Sequence, residues 1–144
     1  MTQHPLLAPL VALVLWTIVI MVWMAVTRFR ALKVAKVDVM ASRGGRGQNL
    51  EGVLPPEANW PAHNYSHLLE QPTIFYAIVL ALVAMGFEAD INVWLAWGYV
   101  ALRIVHSLVQ VTYNKVSHRF PLFLLSSLAL LALAIHAGLY LWHH

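Results

Sequence analysis

Glu70, Arg103 and Arg119 are ionisable residues set within or beside long apolar runs. A charge at membrane depth costs a few kcal/mol or more, so such groups face a bundle interior or a cavity. A helical rotation of about 100° per residue brings His63, His67 and Glu70 onto one face, followed by Ile74, Ala77 and Ala81. A second stripe joins Arg103, Ser107, Gln110 and Asn114, with His106 on its flank. One polar residue on a membrane helix reads as interhelical glue. A stripe of several turns reads as a wet or ligand-filled groove. Glu70 reads either as a structural partner of Arg103 or as a ligand contact. Arg119, beside Pro121, reads equally as a topology signal or as part of the site.

With Arg28 or Arg30, these groups are mostly cations around one carboxylate. That set suits an anionic ligand that also carries an amine. Arginines clamp carboxylates in bidentate fashion, and the glutamate takes the ammonium. A thiol beside an arginine ionises more readily than a free one. The sequence has no cysteine, so the thiol would have to arrive with the ligand. His63, His67, Glu70 and His106 also admit a zinc or iron reading. Arg103 opposes a cation there, and no metal is expected.

The elements that position these residues follow from composition. The chain has 144 residues, 60% hydrophobic and 10% charged, and its mean hydropathy is +0.69. Soluble domains average about 25% charged residues. An ordinary cytosolic globule is thereby excluded, and the expectation is an all-α integral membrane protein, a four-transmembrane-helix bundle. Spans are expected near residues 6–27, 65–87, 91–113 and 121–142, with a cytoplasmic loop over 28–64, all in one domain covering 1–144. The runs are too long for strands and do not alternate. The first is not a signal peptide, since its basic residues follow the apolar run.

Eight of the nine Lys and Arg residues lie in two loops: Arg28, Arg30, Lys33, Lys36, Arg43 and Arg46 in one, Lys115 and Arg119 in the other. The positive-inside rule puts both loops in the cytoplasm and both termini on the opposite side. In the long loop, Ser42 to Gly47 reads as a flexible basic turn. Leu54-Pro55-Pro56 and Trp60-Pro61 read as stiff extended pieces, with Pro61 an alternative helix start.

The run from His63 to Tyr76, with Glu70, Pro72 and Phe75, resembles a signature of the MAPEG family, the membrane-associated proteins in eicosanoid and glutathione metabolism. Arg103-Ile104-Val105-His106, followed sixteen residues after the arginine by Arg119, resembles the family's third-to-fourth-span segment, and Arg28-Phe29-Arg30 fits after the first span. The likeness covers the whole chain and is nearest to bacterial members, which implies a bacterial inner membrane. It implies a homotrimer with glutathione as co-substrate between subunits near the cytoplasmic side. Glu70, Arg28 or Arg30, Arg103 and His106 would be contacts, and Arg119 would stabilise the thiolate. His67 replaces the usual Asn of the animal enzymes, Ser66 an Arg, and Gln110 a glutathione-contacting Tyr, so His67 and Gln110 join the candidate contacts.

The implied activity is that of a glutathione-dependent transferase or peroxidase acting on lipophilic small molecules dissolved in membrane lipid. The alternative is a non-catalytic protein of the same fold that binds a lipid headgroup, glutathione or a partner protein. No nucleic-acid partner is expected.

Overall fold

The computed structural model describes residues 3–144. Its elements are α1 (Leu7–Ala35), a 3-10 turn (Gly47–Leu50), α2 (Pro56–Ala84), α3 (Asp90–Thr112) and α4 (Val116–His143). No strand occurs among the described residues. α1 and α2 have 29 residues each and α4 has 28. At about 1.5 Å per residue these helices exceed a hydrocarbon core of about 30 Å and project beyond it.

By length and composition α1, α2 and α4 can cross a membrane, with mean hydropathies of 2.5, 1.5 and 2.2. α3 falls below that measure. It fills the place of the expected third span, but Asn92, Arg103, His106, Ser107 and Gln110 interrupt its apolar character, and all five are buried. Its polar face is thus turned inward, while Ile91, Trp94, Val105 and Leu108 stay exposed.

The helix ends depart from the expected boundaries for local reasons. α1 continues past Thr27 to Ala35, so Arg28, Arg30 and Lys33 are helical rather than loop residues. Lys36 then adopts a left-handed conformation, and the Val37 N–H reaches the Leu32 carbonyl. α2 begins at Pro56, whose fixed φ and missing N–H suit a first helical position. Trp60-Pro61 is therefore not an extended piece, and Pro61 is not the start of the helix. The N–H absent at Pro61 would have bonded Glu57, still in the first turn, so the helix runs on. At the other end Gly86, at φ +67°, closes α2 with the Phe87 N–H on the Leu82 carbonyl.

The core runs along the bundle through Leu13 and Ile20 of α1, Phe75, Val79 and Leu82 of α2, Tyr99 and Val100 of α3, and Leu130 and Leu133 of α4. Phe75 and Tyr99 stack with ring centres 4.4 Å apart. Beside them a polar brace joins three helices. Tyr99 donates its hydroxyl to Gln71 Oε1 at 3.1 Å, and Gln71 Nε2 donates to Ser127 Oγ at 2.8 Å. At the end away from the long loop, His136 Nδ1 meets Asn92 Oδ1 at 2.6 Å. Glu88 there pairs with His4 and accepts the Leu6 N–H. Leu15, Val22, Leu80, Leu124 and Leu131 face outward, an inversion of soluble packing that a lipid solvent allows.

Candidate functional site

Proline chemistry places the first side chain of the site. Pro72 lies inside α2 and lacks the N–H that would bond the Leu68 carbonyl. Just before this gap, the His67 carbonyl accepts a hydrogen bond from Arg103 Nη2 at 3.3 Å. Arg103 is 1% exposed. Its guanidinium carbon lies 5.8 Å from the ring centre of Tyr99 and 5.7 Å from that of Phe123, within cation–π range. Its Nε and Nη1 are buried with no hydrogen-bond partner.

Above it, the His67 ring lies 5.1 Å from that of His106 and stacks on Phe123 at 5.5 Å. These three rings, with Val116, Arg119 and Phe120, line a pocket of about 170 Å³ between α2, α3 and the start of α4. Arg119 Nε is likewise buried without a partner. The structure thus brings together four of the sequence-derived candidates: His67, Arg103, His106 and Arg119.

The others lie elsewhere. Glu70 forms no ion pair with Arg103. Its side chain is 69% exposed, and its contact is His67 Nδ1 at 3.3 Å. Rotation explains this: with Asn64, Leu68 and Phe75 of α2 facing inward, Glu70 must turn out. His63 leaves the expected His67–Glu70 group and pairs with Glu51 in the loop. Arg28 Nη2 donates to the Gly47 carbonyl at 3.2 Å, in a separate groove with Met24, Gln48 and Ser66. Arg30 faces yet another groove, against the start of α2.

Gln110 is buried but does not line the pocket; its Oε1 accepts from Asn64 Nδ2 at 2.8 Å. Asn64 has no role in the sequence reading. The signal was present: Asn64, Leu68, Gln71 and Phe75 recur at helical spacing on one face of α2. Replacing Asn64 alone by Leu is expected to destabilise the protein by about 1 kcal/mol, since it strands the Gln110 amide. A double-mutant cycle with Gln110→Met, read by thermal unfolding, should recover part of that loss.

No group of three or more His, Asp and Glu among the described residues is placed to hold a metal ion. The four α-helices and this placement of charge stand beside one sequence comparison: the family model of the MAPEG family matches residues 6–139. The chain belongs to the MAPEG family. No curated protein and no solved structure matches it.

The match runs from just before α1 almost to the end of α4, so the whole bundle is the MAPEG fold unit. Family and apolar helices together make the chain an integral membrane protein related to glutathione or eicosanoid metabolism. In this MAPEG pocket no carboxylate is among the lining residues. Its wall carries the Arg119 guanidinium, and Arg103 lies directly behind His67 and Phe123. The field in the pocket is positive and favours an anion.

Proposed function

We propose that this chain binds glutathione or a close anionic thiol in the His67–His106–Arg119 pocket and presents the thiolate to lipophilic electrophiles. The observation that carries this reading is Arg103, buried with two unpartnered nitrogens. An uncompensated buried cation is costly, and an anion would relieve that cost. Arg119 holds the sulfur as thiolate. The sulfur attacks the electrophilic carbon, the leaving group departs with the bond electrons, and the thiol proton has already passed to water. The electrophile approaches over the apolar faces of α1 and α4.

A pocket of about 170 Å³ is smaller than typical ligand sites of about 300–1,000 Å³. The ligand therefore extends outward along α2, where the exposed Glu70 carboxylate takes its ammonium. A second copy of the chain would cover that outer face. This fits a homotrimer of a bacterial inner membrane, with both termini outside the cytoplasm and Arg28, beside Ser66 of α2, near the bound peptide. Native mass spectrometry in mild detergent reads the stoichiometry.

Titration calorimetry with glutathione and S-hexylglutathione tests the reading. Both should bind, the hexyl derivative at least about tenfold more tightly, because its chain leaves water. Absence of binding by either overturns the proposal. The tie between Gln110 and Asn64 favours a second reading, in which the same fold binds a ligand without turnover. Tight binding with no conjugation of 1-chloro-2,4-dinitrobenzene and no reduction of a hydroperoxide would select it.

A further inference from the structure

The groove that Arg30 faces has a volume of about 650 Å³, and the proposed reaction does not use it. One wall is the loop-side end of α1, with Thr27, Ala31 and Val34, and the other is Pro55, Glu57 and Ala58 at the start of α2. Its depth in the membrane follows from helix length. The uncharged run ends at Thr27, and a 29-residue helix of about 43 Å outlasts the hydrocarbon by several residues. Arg30 and Glu57 therefore stand at headgroup level.

Both are exposed. They line the same groove, yet form no ion pair with each other or with any other described residue. Apolar side chains surround them, and Val34 is 84% exposed. The groove thus offers one cation, one anion and an apolar floor open to lipid.

We propose that this groove seats an aminophospholipid, its phosphate on Arg30, its primary ammonium on Glu57 and its acyl chains along α1. The charge pattern selects that class. A headgroup with a phosphate and no amine would set its negative charge against Glu57. A quaternary ammonium carries no N–H to donate to the carboxylate.

Native mass spectrometry of the full chain in mild detergent, with equimolar phosphatidylethanolamine, phosphatidylcholine and phosphatidylglycerol of matched chains, provides the test. Phosphatidylethanolamine adducts should exceed each of the others by at least about tenfold, the lower end for one charge-assisted hydrogen bond. Glu57→Gln should erase that preference. Arg30→Gln should lower retention of all three lipids, and Arg30→Lys should restore most of it. Equal or greater retention of phosphatidylglycerol by the unaltered protein overturns the proposal, as does a preference that survives Glu57→Gln. So does an Arg30→Gln variant that keeps its lipid but loses its oligomer, since the groove would then face another copy of the chain.

Discussion

Replacing Arg103 by Met should make the empty protein more stable and leave it less able to hold an anionic ligand. The two effects have one cause. Arg103 is 1% exposed and satisfied by a single carbonyl at 3.3 Å, while Nε and Nη1 have no partner. Exchanging a buried ionic group for an apolar side chain of similar volume is often neutral or stabilising by about 1–4 kcal/mol. Met also keeps contact with the Tyr99 and Phe123 rings through its polarisable sulfur. The pocket loses the positive charge behind His67 and Phe123, and with it a through-space attraction on the order of 1 kcal/mol or more, so affinity should fall about tenfold. Arg103→Lys should recover part of that affinity, since an ammonium keeps the charge but not the planar guanidinium between the Tyr99 and Phe123 rings. Thermal unfolding without ligand and calorimetric titration with glutathione read the two arms. A variant that is destabilised yet binds normally would show that Arg103 is structural.

Arg119→Ala should depress conjugation of 1-chloro-2,4-dinitrobenzene about 100- to 1,000-fold, chiefly in kcat, as expected when a preorganised group facing developing or resident negative charge is lost. The pH profile separates this role from a general loss of structure. A free thiol is only a few per cent ionised at pH 7. A neighbouring guanidinium that lowers its pKa by about two units leaves it mostly thiolate. If the chain is the proposed transferase, the unaltered protein should therefore lose activity only below about pH 6.5. With Arg119→Ala the rate should climb about tenfold per unit up to about pH 8.5, where the unassisted thiol ionises. A variant with both rate and profile unchanged would remove Arg119 from the chemistry.

Much of this site is legible in the sequence. Arg103, His106, Ser107 and Gln110 recur at helical spacing, and their side chains share the inward face of α3. The facing partner is harder to read. His67 and Glu70 look equivalent on a helical projection, and which of them meets α3 depends on how Asn64, Leu68, Pro72 and Phe75 settle into the bundle. That packing puts His67 against His106 and Glu70 outside. The helix ends lie beyond the hydropathy boundaries for a related reason. Hydropathy changes where the hydrocarbon ends, but backbone hydrogen bonding continues until a cap interrupts it. α1 thus carries Arg28 and Arg30 to Lys36 as helix, and their side chains diverge into separate grooves. Pro61 and Pro56 both carry a helix-start signature, and only the fold selects Pro56.

The inward polar face of α3 bears on how the chain is made. Arg near the centre of a lone inserting helix costs about 2.5–3.5 kcal/mol, and α3 carries buried Asn92, His106, Ser107 and Gln110 as well. Their neighbours come from α2, already synthesised, and from α4, not yet emerged. α3 packs most extensively on α4, and only Tyr113, Asn114 and Lys115 separate them. Insertion of α3 together with α4 as a hairpin would let α4 cover that polar face as it meets lipid.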